Sequence, residues 1–221
     1  MKDFNFSSRP IDPNQPMTKE ERFDLLFELG KDNRDWYYEA NCEILEFVRR
    51  ESRWGNYLDP AYVAGVLSLT SVKHQLTRNI RQAIAICCGQ GALPGLMNSH
   101  KVGLANWLLN RKINGPKTGA FYENLTGNLE PVTLDVWMSR VLEVDQKEFS
   151  SKKKYAAYSE VIASMANKRG MEPAEAQAVL WLGMIKLETG DLSIKKKPYP
   201  LLKEYGNFLT QGRHFSTEPT R

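Results

Sequence analysis

Apolar residues in this chain recur every three or four positions, segment after segment, and almost nowhere alternate as a half-buried strand requires. Trp36, Ala40, Ile44 and Phe47 keep that spacing in one stretch, and Leu76, Ile80, Ile84 and Cys87 in another. A chain so patterned is built of helices that must bury their apolar stripes against one another, which makes the expected class all-α. The punctuation agrees. Thr18 followed by Glu21 is a capping box that opens a helix through Leu29, with Gly30 to close it. A second helix is expected from about residue 35 to 50. Pro60 suits the first position of the next, the helix of Leu76 ends at Gly89-Gln90-Gly91, and another follows over about 101–109. Further helices are expected over 117–125, 154–169 and 174–188, the last two parted by Gly170 and Pro173. After Gly190 the run IKKKPYP is rich in Lys and Pro and is expected to lie along the surface, while residues 1–16 are expected to be mobile.

With 221 residues, 42% of them hydrophobic, the chain can bury one good core or two small helical ones. Thirty Lys and Arg against 26 Asp and Glu leave a net charge of +4, with a pI near 8.9. That balance fits a nucleic-acid partner without demanding one. No run of about 20 apolar residues is present, so no membrane span is expected, and the N-terminus lacks the apolar stretch of a secretory signal. Three cysteines, two of them adjacent (Cys87 and Cys88), make no disulfide framework and point to a reducing cytoplasm. His74, His100 and His214 are far apart in sequence and no zinc spacing occurs, so neither a metal nor another cofactor is expected.

The stretch with most chemistry is KTGAFYENLTGNLEPVTLD, from Lys117 to Asp135, with Gly115-Pro116 in front and VWMSRVL behind. It sets one amine and one carboxylate eighteen positions apart (135 − 117), bracketing a short helix and a loop. This stretch resembles the core of the helix-hairpin-helix DNA glycosylases, the superfamily of endonuclease III and 8-oxoguanine glycosylase. There a Lys-Thr pair opens the second helix of the hairpin and an Asp follows a short apolar run like Val-Thr-Leu, at the same separation in the lyase members. The resemblance covers about residues 60–145, with specific matches only around Lys117–Asp135. The hairpin departs from the family's usual Leu-Pro-Gly-Val-Gly. Gly115 keeps the second glycine, whereas Ile113 stands for the first and Lys112 for the proline. Three cysteines also rule out the four-cysteine iron–sulfur loop of many endonuclease III relatives.

The resemblance implies two helical subdomains, with residues 59–132 forming the middle one that carries the hairpin. Residues 17–58 and 133–210 would form the other, with 1–16 and 211–221 as tails and the active site in the cleft between. It implies a monomer that acts on double-stranded DNA bearing a damaged or modified base, through base removal followed by abasic-site cleavage. Lys117 would form a Schiff base at C1′ with Asp135 assisting. Asn114, Gly115 and Thr118 would meet the DNA backbone. Beyond Thr70, at the approximate place of the family's wedge, Lys73, His74 and Gln75 would contact or enter the duplex. Trp137, Gln177 and Trp181 would face the extruded base. Each has a plainer alternative: Lys117 as a solvated first-turn lysine, Asp135 as a helix N-cap, Trp137 and Trp181 as core aromatics with Gln177 at their edge. The degenerate hairpin favours a second reading, a non-catalytic DNA-binding module that keeps the fold, and a third is an unrelated helical protein in which the match is accidental.

Overall fold

A computed structural model describes residues 18–194, 196 and 198–213. Among these the chain is helical throughout, with no strand: α1 Lys19–Gly30, α2 Trp36–Ser52, α3 Pro60–Thr70, α4 Leu76–Cys87, α5 Asn98–Asn110, α6 Pro116–Leu125, α7 Val136–Leu142, α8 Lys152–Lys168, α9 Pro173–Thr189 and α10 Leu201–Thr210. Short 3₁₀ turns follow α1 (Lys31–Asn33) and precede α8 (Gln146–Ser150). None of these helices is long and apolar enough to cross a membrane.

The starts follow from capping. The Thr18 hydroxyl accepts the Glu21 N–H while the Glu21 carboxylate accepts the Thr18 N–H at 2.9 Å, satisfying donors that a helix leaves open at its first turn. Asp59 caps α3 in front of Pro60, and Pro116 and Pro173 occupy the first positions of α6 and α9.

The buried apolar side chains form two clusters. One gathers Phe47 of α2, Leu67 of α3, Ile84 of α4 and Leu125 of α6, and α10 adds Tyr205 and Phe208. The other gathers Leu26 of α1, Met138 and Val141 of α7, Ile162 of α8 and Leu180 of α9. Helix α9 serves both, through Ala174 and Ala178 on one side and Ala176 and Val179 on the other. The clusters part the chain differently from a break at residue 58. Helix α2 and the late helix α10 bury their stripes with α3, α4, α6 and the Ala174–Ala178 side of α9 rather than with α1, α7 and α8.

Two corrections concern glycine and the C-terminal stretch. Gly30 is no left-handed cap (φ −101°), and a 3₁₀ turn continues from it. Its smallness serves α9: a Cβ on Gly30 would stand 1.8 Å from the Val179 carbonyl oxygen, and one on Gly183 would stand 2.1 Å from that of Leu26. The two helices cross backbone to backbone, locked by the Lys186 ammonium donating to the Leu29 carbonyl. The stretch after Gly190 does not simply line the surface. Tyr199 is buried, and Leu201, Tyr205 and Phe208 of α10 are wholly enclosed at helical spacing.

Residues 1–16 lie outside the described residues, but the tail expected from 211 onward begins anchored. The fully buried Glu51 carboxylate accepts from Arg213 at 2.8 and 3.1 Å and from Asn56 at 2.7 Å, and also from the Tyr205 hydroxyl. Burial alone would raise the Glu51 pKa, but these donors together hold it below the usual carboxylate range. Because a depressed carboxylate stabilises the fold above its unfolded-state pKa, that contribution is lost as pH falls into the acid range. Glu51→Ala strands the guanidinium, which reaches solvent only in part. It is expected to cost about 3–5 kcal/mol in urea unfolding at pH 7; a loss below about 1 kcal/mol would show that the pair is merely decorative.

Candidate active site

The Lys117 charge acts on the Asp135 carboxyl because two helices start where they do. Gly115 (φ +98°) turns the chain into α6 by a backbone that only glycine adopts without strain. Lys117 then sits in the first turn, half-buried. The i→i−4 ladder of α6 begins at Gly119 N–H to Gly115 O, 2.9 Å, so the N–H groups of Lys117 and Thr118 precede it. Asp135 is the N-cap of α7, its Oδ1 accepting the N–H groups of Trp137 at 3.0 Å and Met138 at 3.1 Å. The residue reaches solvent in part, yet its carboxyl is packed round by protein. Burial raises its pKa; the nearby Lys117 charge, then the amides of Met138 and Trp137, pull it back only in part.

The loop into Asp135 is held by side chains. Asn124 of α6 donates to the carbonyls of Asn128 and Pro131, both at 2.9 Å, and its Oδ1 accepts the Thr133 hydroxyl at 2.9 Å. The Tyr155 hydroxyl, reaching over from α8, bonds the backbone of Val132 and Leu134; burial pushes it up to about 12, so it keeps its proton. Tyr37 of α2 lies fully enclosed beside Thr133.

Several expected site residues fall elsewhere. Gln177 is buried and its Oε1 accepts the Tyr37 hydroxyl at 2.7 Å. Trp181 meets Trp36 edge-on at 5.5 Å between the two clusters. Gln177 is thus used inside the protein, on a helix enclosed along most of its length, whereas Trp181 is half-buried. Thr118 is buried too, its hydroxyl donating to Asn114 O at 2.6 Å, so it closes the turn and offers a phosphate only its N–H. Asn114 and Gly115 are exposed. Trp137 is half-buried against the second cluster, with the Arg140 guanidinium 4.6 Å over its ring. Thr70 turns inward, its hydroxyl 2.8 Å from Val66 O. Lys73 and Gln75 are exposed in the α3–α4 turn, and Lys73 adopts a left-handed conformation (φ +57°) unusual for a side chain of its size. That turn shares an end of the molecule with Lys117, since the Ser68 hydroxyl donates to the Thr118 carbonyl. A groove of about 430 Å³ between α6 and α8 starts at Pro116, beside Lys117, and is edged by Glu123, Glu130 and Glu160. Lys117 and Asp135 are not on its wall.

A family described as one of unknown function (DUF7178) matches residues 30–187, more than two thirds of the chain. The protein is a member of that family. The part it shares with DUF7178 runs from the end of α1 nearly to the end of α9 and includes both Lys117 and Asp135. No curated protein and no solved structure matches the chain.

One pairing in this DUF7178 chain was invisible in sequence. His74 and His100 meet edge-on at 5.0 Å, behind the α3–α4 turn. His100 accepts the Met97 N–H at Nδ1 (3.3 Å), which leaves Nε2 to donate to the Val72 carbonyl at 3.0 Å. Its pKa is lowered from 6.5, by burial first and then by His74. A histidine whose folded pKa is depressed takes up its proton more readily when unfolded. Stability is therefore whole above pH 6.5 and is lost as pH falls through 6.5 toward the folded value. The urea midpoint is expected to drop between pH 7.5 and 5.5 in the native protein and to drop less in His100→Asn. Equal drops in both would remove His100 from the account.

Proposed function

We propose that the chain is a DNA N-glycosylase with abasic-site lyase activity, acting on duplex DNA with a damaged or modified base. The observation that carries this reading is a carboxylate enclosed at a cost as the N-cap of α7, with the Lys117 charge acting on it. Capping alone does not require that enclosure, because an exposed Asn or Ser caps a helix as well. A carboxylate kept where ionisation is disfavoured, next to one specific cation, is the pattern of a working site. Asp135 draws the proton from Lys117, and the freed amine attacks C1′ of the nucleotide. The N–C1′ bond forms as the glycosidic bond breaks, its electron pair leaving with the base, which takes up the proton that Asp135 collected. The carboxylate so regained steadies the positive charge that develops on the sugar. The sugar ring then opens, the C1′–O4′ bond breaking as O4′ gains a proton and the lysine nitrogen loses one. The Schiff base so formed loses a C2′ proton and with it the 3′ phosphate by β-elimination.

Reaching a base inside a duplex requires that it leave the stack. The exposed α3–α4 turn, with Lys73 and Gln75, stands at the right end of the molecule to assist. The carboxylate-edged groove between α6 and α8 repels phosphates, so the DNA backbone would approach from the 111–115 turn, where Arg111, Lys112 and the open N–H groups of α6 lie. As a monomer the chain would present this end to one duplex.

A non-catalytic DNA-binding module is the second reading. Ile113 and Lys112 in place of the family's hairpin residues favour it, as does a groove whose wall omits Lys117 and Asp135. Borohydride trapping decides between them, using duplexes with an abasic site, 8-oxoguanine or thymine glycol. A covalent protein–DNA band is the expected result, and the substrate giving most of it begins to name the lesion. Binding without a band on any substrate favours the module.

A further inference from the structure

We propose that Tyr155 is the positioning residue of Asp135: its hydroxyl clamps the backbone on both sides of Thr133 and thereby sets where the Asp135 carboxylate points. The assignment rests on the reading of Lys117 and Asp135 as the reactive pair.

The segment from 128 to 135 has no helix of its own to fix it. Its course is set by side chains reaching in from the helices around it. Asn124 holds the far part, at Asn128 and Pro131. Next to Asp135 the grip comes from α8. The Tyr155 oxygen accepts the Leu134 N–H at 2.9 Å and donates to the Val132 carbonyl at 2.9 Å. One hydroxyl thus uses both of its hydrogen-bonding roles on one short piece of backbone, and the first of these partners, Leu134, directly precedes Asp135. The side chains of Val132 and Leu134 are themselves buried, so the segment cannot slide without exposing them. A carboxylate that must meet an amine in one orientation needs such a fixed approach, since small misplacement of a reacting group costs large factors in rate. The tyrosine ring is independently seated, 6.1 Å from Phe149, so removing the hydroxyl leaves its packing in place.

Tyr155→Phe isolates the clamp, and Tyr158→Phe, three residues on in α8 with its hydroxyl on Glu148, makes the same chemical change away from the loop. The first readout needs no catalysis: the Asp135 carboxyl titration, followed by NMR in the whole chain. In Tyr155→Phe it is expected to move toward the ordinary carboxylate range as the loop loosens, and in Tyr158→Phe to stay with the native protein. An Asp135 titration unmoved by Tyr155→Phe overturns the clamp. The second readout is single-turnover trapping on whichever base-bearing duplex the native protein attacks. Here Tyr155→Phe is expected to lower kcat on the order of 10-fold with KM little changed. A native rate with a shifted titration would also overturn the proposal, because the clamp would then not serve the reaction. Failure of the glycosylase reading looks different: the native protein traps no substrate, yet the Asp135 titration still responds to Tyr155→Phe. Slow exchange of the Leu134 amide in the native protein is a third expectation, needing no variant at all; fast exchange would mean that the 2.9 Å bond does not hold.

Discussion

Gly183→Ala is expected to leave little folded protein, although it adds a single methyl group to a helix. The added carbon would stand 2.1 Å from the Leu26 carbonyl oxygen and 2.8 Å from its carbon, both backbone atoms of α1 that cannot swing aside. The only relief is to push α1 off α9, which opens the cluster of Leu26, Val179 and Leu180 and breaks the Lys186 bond to Leu29. Overpacking of this kind costs more than the usual 1–3 kcal/mol because rigid backbone stands on both sides. A loss of about 4 kcal/mol or more is expected, against a total stability of roughly 5–15 kcal/mol for a domain. Gly206→Ala supplies the comparison. It too lies inside a helix, α10, but nothing stands within 4 Å of its added carbon. There the better helix propensity of alanine is expected to stabilise by about 0.5–1 kcal/mol. The same change should therefore carry opposite signs at the two sites in thermal unfolding. A Gly183→Ala protein melting with the native one would mean that α1 and α9 are not in backbone contact.

The second large effect concerns chemistry. Lys117→Gln is expected to abolish the borohydride-trapped complex on every substrate that the native protein captures, because glutamine has no amine to give. Loss of one cation should change the affinity for DNA by no more than about one phosphate contact, visible as a change of roughly one in the slope of log affinity against log salt. A gel of trapped product beside a binding isotherm separates the two. A variant that traps like the native protein places the nucleophile elsewhere. Asp135→Asn completes the test. Asparagine caps a helix about as well as aspartate, and removing a carboxylate whose ionisation is disfavoured should not weaken the fold. Base removal is expected to fall while the melting temperature holds or rises. That split is the signature of a residue kept for reaction rather than for stability.

Much of the helical order was legible because its signals are local: the Thr18–Glu21 box, the prolines that open α3, α6 and α9, and the apolar stripes of α2 and α4 lie within one or two turns of what they determine. Asp135 as a cap was legible for the same reason, standing where loop turns to helix. What escaped depends on partners far along the chain. Gly30 looks like a helix stop until Val179 is known to cross it. Gln177 lies on α9, but only the distant Tyr37 decides what its amide oxygen accepts. Helix α10 keeps its stripe of Leu201, Tyr205 and Phe208, yet the neighbouring IKKKPYP drew attention to charge and proline instead. The contact of His74 with His100 has no trace in spacing, since a whole helix and a loop intervene.

The crossing of Gly30 and Gly183 also bears on how the protein is made. Helix α1 leaves the ribosome well before α9, on which its glycine-sized seat lies more than 150 positions later in the chain. The Glu51 carboxylate waits as long for Arg213, from which 162 positions separate it. Until synthesis has passed residue 183, the nascent chain carries Leu26 and Phe27 with no surface to receive them. Completion of this fold thus waits for the synthesis of α9, and a chain halted before it holds an exposed apolar helix for whatever chaperone meets it first.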